Sequence, residues 1–240
     1  MGETRLSFKR YEKKYLLSAE QYADLMEKLR EHIEPDEYFQ STVCSLYYDT
    51  DDCSLIRHSV EAPVYKEKLR LRSYNIPGPE DPVFVELKKK YKGVVYKRRV
   101  ELPARVAEAW LDRGEKPAED GQMIREIDWF LRSVRPAAKA YLACDRQAWR
   151  AIEDPELRIT FDRDIRWRET ELELCAGDRG EALLAPGELL MEIKTPTAAP
   201  LWLAHALSEL RIFPVSFSKY GTCYKEHILH EYIFGGSIHA

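Results

Sequence analysis

Four cations stand at every second position in one short segment: Lys66, Lys68, Arg70 and Arg72. Alternate side chains of a β-strand share a face, so a strand over 64–74 lines these four up on one side and puts Leu69 and Leu71 on the other. The same alternation recurs along the chain. In 82–90, Phe84, Glu86, Lys88 and Lys90 oppose Val83, Val85 and Leu87. In 94–101, Lys97, Arg99 and Glu101 oppose Tyr96, Arg98 and Val100. Over 157–168, Arg158, Thr160, Asp162, Asp164, Arg166 and Arg168 fall together, and over 189–194, Glu192 and Lys194 do. A first strand, 6–17, adds Arg10, Glu12 and Lys14. A solvated sheet face is also charged, but it normally mixes the two signs. Like charges opposite one another on neighbouring strands destabilise a sheet. Such faces call for a polyanion, and phosphate chains suit them: Arg offers forked donors to phosphate oxygens, and Lys a compact charge.

Nucleic acid is the rival polyanion. Its single-strand binders interleave aromatic side chains for base stacking. Here the aromatic residues of the cationic strands fall mostly on the opposite face, as at Tyr65 and Tyr96, with Phe8 and Phe84 as exceptions. The expectation is phosphate without bases and no nucleic-acid partner. The few carboxylates among the cations, Glu12, Glu86 and Glu192, suit salt bridges; the alternative is a divalent metal. Mg²⁺ or Mn²⁺ needs only one or two protein carboxylates when phosphates supply the other oxygens. Ser218 and Lys219 precede a last helix, whose N-terminus favours an anion, although Ser216 or Ser218 could serve as a plain cap. The six histidines lie outside the cationic strands, and no Ser/His/Asp or Cys/His arrangement competes. His227 and His230 share a helix face, too few ligands for a metal site.

The elements that must position these residues follow from periodicity. Ser18 with Gln21 forms a capping-box pattern. It opens a helix through Tyr22, Leu25, Met26, Leu29 and Ile33, with Pro35 as its stop. A short strand, 43–49, ends in the turn Asp49-Thr50-Asp51-Asp52. Strands 64–74, 82–90 and 94–101 form an antiparallel meander. Helices follow at 103–114 and 121–134; 137–150 reads as strand or helix. Strands are expected at 157–168, 171–175 and 189–194, and helices over 198–211 and from Lys219 to about Phe234. The strands neighbour one another more than they alternate with helices, which argues an α+β fold with antiparallel sheet.

The chain has 240 residues, 45% of them hydrophobic, enough for one large domain over 1–240 with a real core. Its net charge of −4 disfavours a polyanion only on the bulk balance. Residues 65–101 carry 11 Lys and Arg against 5 Asp and Glu, a surplus of +6, so the rest carries −10. Five scattered cysteines without CxxC spacing fit neither a disulfide framework nor a zinc site, and suit a reduced, cytoplasmic protein. No apolar run reaches membrane-span length, and no signal-peptide core is present.

Eight segments in order, RYEKKYLL (10–17), SLYYDTDD (45–52), EKLRLRSY (67–74), VFVELKKK (83–90), VYKRR (95–99), LRITFDRDIR (157–166), LMEIKTP (190–196) and FSKYG (217–221), resemble the VTC domain. This is the polyphosphate polymerase domain of the vacuolar transporter chaperone family and its bacterial relatives. The resemblance implies the triphosphate tunnel fold, an antiparallel eight-stranded β-barrel with flanking helices. It implies transfer of the γ-phosphate of ATP to a growing polyphosphate chain, with Mn²⁺ or Mg²⁺ as cofactor. By motif, it implies catalytic roles for Arg70, Arg72, Lys88, Arg158 and Lys219. Lys14, Lys97, Arg99 and Arg166 become phosphate-binding positions, joined by Lys68, Lys194 and Ser218; Arg146 is a weaker match. Glu192 becomes the metal ligand, with Glu12 beside it. In one respect the chain departs from the broader tunnel enzymes, which carry E-x-E-x-K on the first strand: here Arg10-Tyr11-Glu12-Lys13-Lys14 replaces one acid by a cation. That favours polymer binding with one metal over two-metal hydrolysis. A triphosphate or polyphosphate hydrolase, and a non-catalytic module that binds polyphosphate or inositol phosphates, stay open as alternatives. So does action beside a membrane-bound partner at the inner face of the membrane, as in the eukaryotic relatives.

Overall fold

A computed structural model of the chain describes residues 11–61, 63–92 and 94–229. The expected Arg10 and Phe8, His230, His239 and the end of the last helix lie outside the described residues. The architecture is α+β, with antiparallel strands that join in the order β1-β9-β7-β6-β2-β3-β4-β5, and β8 on β7. The strands are β1 (Tyr11–Leu17), β2 (Ile33–Asp49), β3 (Tyr65–Tyr74), β4 (Pro82–Tyr91), β5 (Val94–Pro103), β6 (Ala137–Ala151), β7 (Arg158–Arg168), β8 (Glu181–Ala182) and β9 (Leu189–Thr195). The helices are α1 (Ala19–Leu29), α2 (Ser54–Val60), α3 (Ala104–Arg113), α4 (Gln122–Val134), α5 (Leu201–Glu209) and α6 (Lys219–Cys223).

The chain forms two compact units. The first contains 11–41, Cys144–Ile165 and Leu184–Phe217; the second contains Thr42–Ala143, Arg166–Leu183 and 218–229. Strands β2, β6 and β7 run through both.

In the first unit, Ser18 accepts from the Gln21 backbone N–H while the Gln21 side chain accepts from the Ser18 N–H, so the capping box starts α1 as its spacing requires. The helix stops at Leu29, earlier than expected. Ile33 and Pro35 belong to β2 instead, a 17-residue strand of which 43–49 is only the end. Leu25 and Leu29 of α1 and Leu203, Ala206 and Leu207 of α5 bury against Phe161, Met191 and Ile193.

In the second unit, β3, β4 and β5 form the expected meander. Leu69, Leu71, Val83, Val85 and Leu87 are completely buried on its apolar face, under Trp110 of α3 and Ile127 and Phe130 of α4. Each such side chain contributes about 1.5–3 kcal/mol of hydrophobic stabilisation. Burying this face fixes the register, because a slip of one residue would drive the lysines and arginines into the core. Residues 171–175 are not a strand: the segment is loop ending in a 3₁₀ turn at Leu174–Ala176. The last helix begins at Lys219 and passes into a π-helical turn, Tyr224–Ile228.

A cationic row and a balanced carboxylate pair

In the second unit, the register of the meander turns the four-cation segment into cross-strand rungs on one face. Ser45, Arg72, Phe84 and Glu101 stand in register across β2 to β5. The next rung is Tyr47, Arg70, Glu86 and Arg99. Lys68, Lys88 and Lys97 follow, and then Lys66 and Lys90.

Glu86 organises the centre. It is 1% exposed and sits within 2.6 Å of both Nε and a terminal nitrogen of Arg70, with Lys97 at 2.5 Å and Arg99 at 3.7 Å. Burial by itself would raise the pKa of Glu86, but Arg70, Arg72 and Lys97 override it and hold the carboxyl at about 2. It is therefore the permanent counter-charge of the row, as the salt-bridge reading expected. Glu86 and Glu101 are the two carboxylates of these four rungs, against eight cations, which leaves a positive surplus. Burial lowers the pKa of Lys97, as do Arg70 and Arg99, against the opposing pull of Glu86.

Two of the rings on this side, Phe84 and Tyr47, are already partnered. The Arg99 guanidinium lies 3.5 Å from the centre of the Phe84 ring. Tyr47 stacks on Tyr220 at 4.7 Å, and its phenol oxygen accepts from Arg70 at 3.3 Å. Burial alone would raise the Tyr47 pKa, but Arg70, Arg72 and Lys68 bring it down to about 8. Arg72 donates to the Ser45 hydroxyl at 3.1 Å.

Lys68 reaches the Ser218 hydroxyl at 3.0 Å, and the same oxygen caps α6 by accepting from the Gly221 N–H at 3.2 Å. Ser218 is thus both an N-cap and a neighbour of the row. Lys219 begins α6, and its neighbour Tyr220 donates to Asp49 at 3.1 Å. Asp49 also accepts from the N–H groups of Leu55 and Ile56, so the predicted Asp-Thr-Asp-Asp turn starts α2 and anchors Tyr220 together. Tyr47 and Tyr220 escaped the sequence reading. The available signal was parity: Tyr47 lies one residue out of step with the apolar Leu46, on the face where Ser45 continues.

In the first unit, two rungs carry both signs. Lys14 lies opposite Glu192, which lies opposite Thr160; Glu12 lies opposite Lys194, which lies opposite Arg158. Lys14 is 3.3 Å from Glu192 and 3.6 Å from Glu12, and Lys194 is 3.2 Å from Glu192. Lys14 also donates to the Phe217 carbonyl at 3.1 Å. Two carboxylates thus share one ammonium. The Thr160 hydroxyl, in register with Glu192, is buried without a hydrogen-bond partner. Among the described residues no group of three or more His, Cys, Asp or Glu side chains could hold a metal. A hard cation that keeps its waters and phosphate ligands needs only a carboxylate or two, and Glu192 with Glu12 fits that donor chemistry. Arg158 is 54% exposed and 3.5 Å from Asp36. Arg146 holds the fully buried Asp162 through two bonds of 2.6 and 2.7 Å.

Arg166 lies elsewhere. Asp164 has φ of 46°, a left-handed residue inside β7, so strict alternation does not carry through the strand. Beyond it, in the second unit, Arg166 binds the carbonyl and carboxylate of Asp178, and Arg168 binds carbonyls of the 171–179 loop. Both tie down that loop. His227, likewise, stacks on Trp167 at 4.5 Å.

The VTC domain family profile matches residues 9–228. The chain belongs to the VTC domain family. Its fold is shared with a candidate adenylate cyclase from Bacillus halodurans, at 17% identity and a TM-score of 0.52 over 86% of this chain and 92% of that one. It is also shared with a candidate adenylyl cyclase from Hippeastrum that has a dominant triphosphatase activity, at 16% identity and a TM-score of 0.51 over 90% and 94%. No curated protein matches the sequence. This VTC domain therefore has the triphosphate tunnel class of fold. No helix among its described residues is long and apolar enough to cross a membrane.

Proposed function

We propose that this VTC domain is a polyphosphate polymerase, taking the γ-phosphate of ATP and adding it to a growing polyphosphate chain. The observation that carries this reading is the row in the second unit. It sets Arg72, Arg70, Lys68, Lys88 and Lys97 on one face around a single buried, ionised carboxylate. Lysines placed opposite one another across neighbouring strands repel, and an anion that runs along them relieves that repulsion. The covered faces of Phe84 and Tyr47 favour phosphates over stacked bases.

Phosphoryl transfer asks little covalent chemistry of the protein, because positioning and charge neutralisation supply most of the catalysis. Arg70, Arg72 and Lys88 hold phosphate oxygens, with Lys68, Lys97 and Arg99 beside them. Ser218 and Lys219 present the start of α6. Within the first unit, Arg158, Lys14 and Lys194 are further phosphate-binding candidates. Glu192, with Glu12, would hold Mn²⁺ or Mg²⁺, which when bound neutralises charge on the phosphoryl oxygens. The nucleophile is the terminal phosphate of the acceptor chain, so no protein nucleophile is needed. Arg166 gives its Nε and one terminal nitrogen to Asp178, so it enters this scheme as an anchor of the 171–179 loop.

Incubation with ATP and Mn²⁺ tests the reading. ADP together with long-chain polyphosphate supports it. Inorganic phosphate without polymer overturns it in favour of a hydrolase, the second reading, which the triphosphatase activity of the Hippeastrum protein supports. Tight, salt-sensitive polyphosphate binding with no turnover overturns both in favour of a binding module.

A further inference from the structure

The row does not end at its three lysines. One step further along β3 and β4, Lys66 and Lys90 stand directly opposite each other. Across β5, the position in register is Val95, which brings no charge. Neither lysine is ion-paired to a carboxylate among the described residues. The Lys66 ammonium donates only to a neutral group, the Ser59 carbonyl of α2, at 3.1 Å. The neighbouring acids are engaged on the other face, where Glu67 pairs with Lys89 at 3.5 Å. Like charges facing across a strand pair cost stability, and here the fold keeps two such rungs in succession. Partial burial and the proximity of Lys90 both lower the pKa of Lys66, as a site prepared for an anion would show.

From Arg72 to Lys66 the same-face positions span six residues of strand, on the order of 20 Å. A triphosphate is too short to cover that length. We propose that Lys66 and Lys90 form an outer phosphate subsite that engages the tail of a linear polyphosphate and is not reached by a triphosphate held on the inner rungs. This rests on the polyphosphate reading of the row and adds to it a residue pair that selects for chain length.

The test compares two ligands, tripolyphosphate and long-chain polyphosphate, at one fixed salt concentration. Affinities are measured by calorimetry for the wild-type chain, the Lys66→Ala/Lys90→Ala variant and a charge-matched control, Arg105→Ala/Lys116→Ala, outside the row. Two lost contacts to charged oxygens should weaken long-chain binding about tenfold or more. Tripolyphosphate binding should stay within about twofold in the same variant, and the control should leave both ligands unchanged. The melting midpoint of the lysine variant should not fall, since a repulsive pair has been removed. Equal losses for both ligands, or no loss for either, overturn the outer subsite. A wild-type chain that binds neither ligand overturns the polyphosphate reading itself, a failure distinct from the first.

Discussion

Glu86 and Glu192 both sit among cations, and their surroundings are built differently. Glu86, in the second unit, is sealed at 1% exposure and gripped by the Arg70 fork, with Lys97 and Arg99 on its other oxygen. Glu192, in the first unit, meets the ammoniums of Lys14 and Lys194, and Glu12 shares the first of them. The first arrangement has surplus positive charge around a carboxylate that cannot be spared. The second sets Glu12 and Glu192 among Lys14, Lys194 and Arg158, with a partnerless buried hydroxyl in register. A surplus recruits an anion. A carboxylate held by lysines, which are compact and strongly hydrated, fits the proposed metal ligand better than one held by a guanidinium fork. Glu86 is thus a structural keystone of the cationic row, whereas Glu192 is the proposed metal ligand.

Substitutions that separate stability from turnover test this contrast. The largest effect is expected at Glu86. Glu86→Gln leaves the surrounding cations without their counter-charge and should cost about 3–5 kcal/mol in urea unfolding. Acid should do the same more gradually. The Glu86 pKa is depressed from 4.5 to about 2, so its stabilising contribution is complete above about pH 4.5 and is lost as pH falls through 2. A wild-type melting midpoint that is flat across that window would remove the keystone role.

Glu192→Ala should instead leave unfolding and polyanion binding largely intact while turnover with ATP and Mn²⁺ drops about 100-fold or more. Normal turnover in this variant would show that Glu192 is not a metal ligand.

A smaller effect is expected at Tyr47. With its pKa lowered to about 8, the phenol becomes an anion between Arg70, Arg72 and Lys68 as pH rises. Tripolyphosphate affinity should therefore weaken by a few-fold between about pH 7 and 9, and Tyr47→Phe should flatten that profile. An unchanged profile in the variant would remove Tyr47 from the row. Least affected should be Arg158→Ala: its own side chain is 54% exposed and its ion pair with Asp36 is long, at 3.5 Å, so the pair is expected to contribute about 0–1 kcal/mol to stability. Any substantial loss must appear in activity, so an unaltered rate would take Arg158 out of the catalytic set.

Much of the second unit was legible in the sequence because alternation there is uninterrupted. Leu69, Leu71, Val85 and Leu87 bury on one side, which forces Lys66 to Arg72 and Glu86 to Lys90 onto the other, and no bulge disturbs the register. The capping box at Ser18 and the turn at Asp49 are local signals, and both form as read. Alternation failed where the backbone broke it. Asp164, in the left-handed region, interrupts the alternation of β7 before Arg166 and Arg168, and the loop that receives those two carries no pattern that would announce it. The helical reading of Ile33 and Pro35 failed because a 17-residue strand imposed its own conformation on them. Tyr47 was missed because its role depends on two partners distant in sequence, Arg70 and Tyr220.

The central claim, that the second unit's row is a phosphate site, is tested most directly by a crystal structure of the chain grown with tripolyphosphate. The account predicts phosphate oxygens on Arg70, Arg72 and Lys88, with the Arg70–Glu86 pair intact beneath them. Tripolyphosphate bound elsewhere on the chain, with those three side chains turned away from it, would contradict the account.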